Sequence, residues 1–141
     1  DFEYTLCGET VYFTEHSMIH ILNRHFASRA RFYNVKRDYH SEDIFYRTLH
    51  IQLGSFIQLL NKYGRLTVES MEKISLTYKG AVYQLWIKQK IRGVKGKGMV
   101  PYYRIETFYP LSDSQQLGDL EKNYDLVKLS TDLSLYVARS H

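Results

Sequence analysis

Apolar residues in the first half of the chain recur at helical spacing. Between residues 15 and 28 they return every three or four positions, which predicts an amphipathic helix. Thr14 is predicted to cap this helix, because its hydroxyl can accept a hydrogen bond from a backbone N–H of the first turn. A second helical stripe covers residues 42–63, with Ser41 as the predicted N-cap and Gly64 as the predicted left-handed residue that ends it.

The pattern then changes to one in which every second residue is apolar. This alternation predicts strands at 9–13, 74–78, 81–91, 100–109 and 134–138. Gly80 marks a turn, and the glycine-rich segment 92–98 is predicted to be a flexible hairpin loop. Because short turns join the central strands, we expect an α+β fold in which N-terminal helices pack on a twisted antiparallel β-sheet meander.

Length and composition limit the possible classes of protein. The chain has 141 residues, of which 44% are apolar and 24% charged, so it resembles a globular domain and not a disordered segment. We expect one domain over 1–141, with a core at about 14–110 and a C-terminal extension at 111–141. The longest apolar runs fall well short of a membrane-spanning helix, so no membrane anchor is expected. The single cysteine excludes an internal disulfide.

Positive charge is concentrated in the middle of the chain. The net charge of +4 hides a segment, residues 73–105, with eight Lys and Arg and no Asp or Glu. A smaller basic run extends from Arg24 to Arg37. Such segments attract phosphate backbones, which favours RNA or DNA over other anionic partners. The predicted phosphate contacts are His16, Lys90, Arg92, Lys95, Lys97 and Arg104.

The first predicted helix carries the titratable groups best suited to catalysis. His16 and His20 are one turn apart and could share a zinc ion, but the sequence supplies no third ligand, so no metal and no cofactor are expected. His20, Arg24 and His25 can instead supply a base, an acid and a phosphate ligand. RNA carries its own nucleophile, the 2′-OH, so such a set can cleave it without metal.

The last central strand presents two further candidates. Alternation places Thr107 and Tyr109 on one face, where they could position or stabilise a scissile phosphate. His40 and His50 are predicted to lie outside the site, and Trp86 to lie in the core. A core role for His25 and ordinary strand roles for Thr107 and Tyr109 remain open at this point.

These motifs, in this order, resemble a known family. The helix with His20-Ile21-Leu22-Asn23-Arg24-His25, the helix at about 42–63 and the closing strand with Thr107-Phe108-Tyr109-Pro110 are similar to the toxin nucleases of the barnase–EndoU–colicin–RelE (BECR) superfamily. Those domains are the C-terminal toxins of bacterial contact-dependent inhibition and polymorphic toxin systems. The resemblance covers about residues 14–110.

The resemblance implies a metal-independent ribonuclease, often acting on tRNA, that a cognate immunity protein neutralises. It implies that His20 or His25 is the general base or acid, that Arg24 binds phosphate, and that Thr107 and Tyr109 act on the scissile phosphate. A first residue other than Met suits a domain delivered by a larger secreted bacterial protein into the cytoplasm of a target cell. Two alternatives stay open: a non-catalytic nucleic-acid-binding module, and a protein-interaction domain with an acidic partner.

Overall fold

The computed structural model describes residues 1–27, 29 and 38–139. Their mixed helices and strands confirm the α+β class. Seven strands form one sheet in the order β1-β2-β5-β4-β3-β7-β6. The strands are β1 (Phe2–Leu6), β2 (Glu9–Phe13), β3 (Lys73–Tyr78), β4 (Ala81–Val94), β5 (Gly98–Pro110), β6 (Tyr124–Lys128) and β7 (Leu133–Ala138). The helices are α1 (Glu15–His25), α2 (Leu49–Tyr63) and α3 (Ser114–Asn123), with 3-10 turns at Tyr46–Thr48 and Ser70–Glu72.

The sheet is antiparallel except at one place. β2 pairs in parallel with β5 through Val11 and Tyr12, opposite Tyr103 and Arg104. Strands from outside residues 14–110 extend both sides of the meander: β1 and β2 on one side, and β7 and β6 on the other, with β7 beside β3. The C-terminal extension is therefore part of the same sheet, and it also supplies α3.

Two of the three predicted helix caps form, at Thr14 and Gly64. The prediction of Ser41 as the N-cap of α2 is wrong, because that position is occupied by Thr48. The Thr14 hydroxyl accepts from the Ser17 N–H, and the Ser17 hydroxyl accepts from the Thr14 N–H, a reciprocal cap at the start of α1. Gly64 ends α2 with φ 72°, a left-handed conformation that glycine adopts without a Cβ clash. Helix α1 ends at His25, three residues before the predicted end.

Helix α2 begins seven residues later than predicted. Ser41 accepts from the Asp43 N–H, but the chain at Phe45 is extended instead of helical. The side chain of Gln52 explains this, because its Nε2 donates to the Asp43 carbonyl and its Oε1 accepts from the Phe45 N–H. These bonds replace the ones that a helix would make over 42–48.

One face of the sheet is buried by α2, and the opposite face carries the polar residues of interest. Helix α2 buries Leu49, Leu53, Phe56, Ile57 and Leu60 in the core. The core face of β4 and β5 contributes Leu85, Ile87, Ile105 and Phe108. A β-bulge shifts the register of β4 and β5. Trp86 pairs with Thr107 and the next residue, Ile87, pairs with Ile105, so Glu106 is the extra residue on β5.

Candidate active site

Helix α1 lies against β5 at an edge that β2 leaves uncovered. Among the described residues, β2 pairs with β5 only at Tyr103 and Arg104. Beyond that point side chains take the place of a strand. The Ser17 hydroxyl donates to the Ile105 carbonyl at 2.5 Å, and His40 Nε2 donates to the Phe108 carbonyl at 2.9 Å. The first bond anchors the N-terminal turn of α1 to β5. The second anchors His40, whose N–H donates to the carbonyl of His25 at the C-terminal end of α1.

His25 is fixed from three directions. Its Nδ1 lies 2.9 Å from the Asp38 carbonyl oxygen, and its own carbonyl accepts from the His40 N–H at 2.8 Å. Its ring stacks on that of Tyr109, with 5.1 Å between centroids and 19° between planes. The predicted pair of a helix histidine and a strand tyrosine is therefore in direct contact.

The bond to Asp38 decides which nitrogen of His25 can take a proton. A carbonyl oxygen only accepts, so Nδ1 must carry the hydrogen and Nε2 of the neutral ring keeps its lone pair. Burial lowers the pKa of His25 below the usual value, and the hydrogen bond to Asp38 opposes this without cancelling it. The ring is thus neutral near pH 7, with Nε2 able to act as a base.

Two other imidazoles lie near His25. The His20 ring is 6.3 Å from it and the His40 ring 6.4 Å, measured between centroids. Burial lowers the pKa of His40 to about 4, so that ring is neutral at physiological pH. It packs between the rings of Phe26 and Phe108, which makes it a support for His25 and not a proton donor.

Tyr109 is held by a buried amide on the neighbouring strand. Its hydroxyl donates to Gln84 Oε1 at 2.6 Å, and Trp86 Nε1 donates to the same oxygen at 3.2 Å. Gln84 Nε2 in turn donates to Ser75 Oγ at 3.3 Å. Burial raises the pKa of Tyr109, so its hydroxyl keeps its proton. Tyr109 therefore acts through its ring, as a rigid platform under His25.

Thr107 shares the sheet face of Tyr109, as alternation predicts, but its hydroxyl is enclosed. The residue is only 5% exposed, and its Oγ1 is buried without a hydrogen-bond partner among the described residues. In this arrangement Thr107 packs opposite Trp86 and does not offer its hydroxyl to a phosphate from solvent.

A row of cations lies on the sheet face that carries Tyr109, beyond Trp86. Lys88, Lys90 and Arg92 occupy alternate positions of β4, so their side chains share one side, about 6.6 Å apart per step. The Arg92 guanidinium lies 5.4 Å from the ring of Tyr12 and 5.1 Å from that of Tyr102. We call Lys88, Lys90, Arg92 and Arg104 the cationic face.

Glu106 reduces the charge of this face. Its carboxylate lies 3.2 Å from Arg104 Nη2 and 3.6 Å from Lys90 Nζ. Burial by itself raises the pKa of Glu106, but the hydrogen bond from Arg104 and the charges of Arg104 and Lys90 outweigh it and lower the pKa overall. The carboxylate is therefore ionised, and it holds both cations in place.

The remaining predicted residues are more dispersed. His16 is exposed in the first turn of α1, and Arg24 is exposed beside His25, whose pKa its charge also lowers. Lys95 and Lys97 are exposed at the tip of the β4–β5 hairpin, because β4 extends to Val94 and β5 begins at Gly98. Part of the second basic run, Arg31, Lys36 and Arg37, lies outside the described residues.

Sequence reasoning missed four residues that shape the site. They are Asp38, His40, Gln84 and Glu106. His40 was predicted to lie outside the site and Trp86 to lie in the core, whereas Trp86 is half-buried on the face that carries Tyr109. The residue types gave one usable signal: Gln84 is an amide in the middle of an apolar strand, and a buried amide needs partners.

The described residues form neither a metal-binding cluster nor a membrane-spanning helix. No group of three or more His, Cys, Asp or Glu side chains within the described residues is arranged to hold a metal ion. No helix in that part of the chain is long and apolar enough to cross a membrane.

Comparisons with known proteins add no assignment. No protein-family model, no curated protein and no solved structure matches this chain. The resemblance to the BECR superfamily stays a prediction.

Proposed function

We propose that this chain is a metal-independent endoribonuclease in which His25 and His20 perform acid–base catalysis. The observation that carries the proposal is the fixed His25 ring, bonded through Nδ1 to the Asp38 carbonyl and stacked on Tyr109. A side chain held in this way loses little entropy when it engages a substrate, which is what a positioned general base requires.

The proposed reaction uses the 2′-OH of RNA as the nucleophile. His25 Nε2 accepts the 2′-OH proton while that oxygen attacks the adjacent phosphorus. The P–O5′ bond breaks, and protonated His20 gives its proton to the leaving 5′-oxygen. The products are a 2′,3′-cyclic phosphate and a 5′-OH, so no metal-bound water takes part. The two ring centroids are 6.3 Å apart, close enough for both imidazoles to reach oxygens of one phosphate bound beside them.

Substrate binding is assigned to the cationic face and to Arg24. Beyond Trp86 on β4 and Tyr103 on β5, the two strands pair only with each other within the described residues. The resulting arm presents Lys88, Lys90 and Arg92 in a row that starts near Tyr109. Cations at alternate strand positions suit an extended single strand of RNA, and Tyr102 offers a surface for base stacking.

The biological setting follows from the resemblance and is proposed with it. The domain would be a toxin carried by a larger secreted or cell-surface bacterial protein, and it would act on RNA, with tRNA as the expected class, in the target-cell cytoplasm. An immunity protein with an acidic surface would block the site by covering the cationic face. Charge complementarity supports such a partner.

Product chemistry tests the proposal. The purified chain is incubated with tRNA and with a single-stranded RNA oligonucleotide in excess EDTA, and products are analysed by mass spectrometry. We expect cleavage with 2′,3′-cyclic phosphate ends. The same oligonucleotide with 2′-O-methyl groups, which lacks the nucleophile, should not be cleaved. RNA that stays intact where a control ribonuclease cuts, or products with 2′-OH and 5′-phosphate ends, would contradict the mechanism.

Histidine variants separate catalysis from binding. His25→Ala and His20→Ala should abolish cleavage while RNA binding persists, because the cationic face is unchanged. His50→Gln is the matched control, since His50 lies on α2 and stacks on Phe2 away from this site. Equal activity of all three variants would exclude the proposed roles.

A second candidate function is non-catalytic binding of nucleic acid. The placement of Arg92 beside two tyrosine rings, on an arm that extends from the sheet, favours it. In that case Arg92→Ala and Lys90→Ala would remove function and the histidine variants would not.

A further inference from the structure

A large cleft opens where two neighbouring strands of the sheet diverge. β3 and β7 pair only over Leu76–Tyr78 and Leu133–Leu135 among the described residues, and they separate beyond those positions. Helix α3 and the segment after α2 flank the gap. The cleft measures about 970 Å³, enough for a molecule of nucleotide size, and its floor includes Ser75 and Gln84.

The charges around the cleft cancel, in contrast to those of the cationic face. Three cations and three carboxylates line it: Arg65, Lys73, Lys122, Glu69, Glu72 and Asp119. With no net positive charge, the lining gives a phosphate no electrostatic advantage. A neutral ligand with hydrogen-bonding edges and flat apolar faces suits the cleft better, because Leu120 and Leu135 supply apolar walls.

The floor of the cleft has hydrogen-bonding capacity to spare. Gln84 and Ser75 are buried, at 3% and 8% exposure. Gln84 Nε2 carries two hydrogens, of which the bond to Ser75 uses one, and Ser75 Oγ can itself donate. Asp119, at the wall formed by α3, accepts from Asn123 Nδ2 through Oδ1, and its Oδ2 can accept from the exocyclic amino group of a base.

One hydrogen bond and one ring stack connect this floor to His25. Gln84 lies in the cleft and accepts from the Tyr109 hydroxyl at 2.6 Å, and the Tyr109 ring stacks on His25 at 5.1 Å. Cleft and imidazole are therefore separated by a single tyrosine side chain. A base in the cleft would belong to a nucleotide adjacent to the phosphate at His25.

We propose that this cleft is a nucleobase-binding site that holds one base of a single-stranded RNA substrate next to the bond to be cleaved. The inference rests on the proposed ribonuclease function for its biological meaning, but it concerns binding of a base and can be tested without cleavage. Ser75, Gln84 and Asp119 are the specificity-determining residues of this site.

Tryptophan fluorescence gives a direct readout. Trp86 is the single tryptophan of the chain, its Nε1 donates to Gln84, and Lys73 Nζ lies 5.4 Å from its ring. The four nucleosides are titrated into the His25→Ala protein in EDTA, with ribose 5-phosphate and inorganic phosphate as controls. We expect a saturable change with at least one nucleoside at a Kd on the order of 0.1 to 1 mM, and none with the controls.

A blocking variant tests the location. Gly118 lines the cleft on α3, and a Cβ added there meets nothing within 4 Å, so Gly118→Leu should fold and fill the space. It should weaken nucleoside binding at least about tenfold, whereas Gln58→Leu on the exposed side of α2 should not change it. Thermal unfolding of both variants verifies that they are folded.

The outcomes distinguish this inference from the proposed function. Nucleoside binding that Gly118→Leu abolishes supports the site, even if the wild-type chain cuts no RNA. Cleavage of RNA without nucleoside binding overturns the site and leaves the ribonuclease proposal standing. An equal response to inorganic phosphate, or unchanged affinity in Gly118→Leu, also overturns it.

Discussion

Replacing His40 with Phe should flatten the dependence of stability on pH between about 4 and 6.5. His40 is packed against Phe26 and Phe108, and burial lowers its pKa to about 4. In the unfolded chain a histidine has a pKa of about 6.5. Below that value the unfolded state takes up a proton that the folded state does not, so the folded state loses stability as the pH falls.

The magnitude follows from the difference between the two pKa values. One pH unit is worth about 1.36 kcal/mol, so the loss between pH 6.5 and 4 amounts to about 3 kcal/mol. A Phe ring can occupy the same stack, but it leaves the Phe108 carbonyl without the His40 Nε2 donor, at a cost of about 1 to 3 kcal/mol. The variant should therefore be less stable than wild type at pH 7.5 and comparable to it near pH 4.5.

Urea unfolding at a series of pH values measures this directly. Ile57→Val is the control, because deleting one buried methylene in α2 lowers stability by about 0.5 to 1.5 kcal/mol without touching His40. It should shift the whole curve downwards and keep its slope. A small slope should remain in His40→Phe, since burial also lowers the pKa of His25. If His40→Phe keeps the full wild-type slope, the assignment of His40 as a buried neutral ring is wrong.

Four further predictions concern caps, charge and the platform under His25. Gly64→Ala should cost about 1 to 2 kcal/mol in urea unfolding, because φ 72° is strained for an L side chain; no loss would contradict the left-handed cap. Thr14→Ala should cost about 1 kcal/mol, measured in the same way, since α1 loses its reciprocal cap. Glu106→Gln should tighten RNA binding, because it frees Lys90 and Arg104 from a carboxylate. In titrations at several salt concentrations, the slope of log K against log[salt] should become steeper by about 0.7 for each additional phosphate that is neutralised. Tyr109→Phe keeps the ring but not the hydroxyl, so it should lower stability by about 1 kcal/mol and leave the RNA cleavage rate nearly unchanged; a large loss of rate would assign the hydroxyl a direct catalytic role.

The parts of the fold that the sequence predicts are those decided locally. Thr14 caps α1 and Gly64 ends α2 because each acts on its own turn of helix. Strands β3 to β5 follow from alternation, since one face of each is buried. Strand β1, helix α3 and strand β6 were not predicted. Helix α3 carries little apolar signal, since it buries only Leu120. Strand β1 does alternate, with apolar Phe2, Tyr4 and Leu6, and this signal was missed.

The parts of the fold and of the site that were not predicted depend on long-range contacts. The start of α2 depends on Gln52 bonding back to Asp43 and Phe45, which no helical pattern encodes. The parallel pairing of β2 with β5 joins segments about 90 residues apart. In the candidate site, helical spacing and strand alternation place each candidate on a face of its own element, and the contact of His25 with Tyr109 comes from the packing of α1 on β5. The supporting role of His40 could not be predicted, because it depends on tertiary packing. Gln84 gave only the signal of an amide within an apolar strand, which does not identify its partners.

The rate of RNA cleavage by His25→Gln, relative to wild type, tests the central claim most directly. Glutamine approximates the size and polarity of the ring but cannot act as a base, so folding and RNA binding should persist. Initial rates are measured on one single-stranded RNA oligonucleotide in excess EDTA at pH 7.5. Loss of the general base predicts a decrease of about 100-fold or more. Equal rates for the two proteins, or a wild-type chain that leaves the RNA intact, would contradict the account.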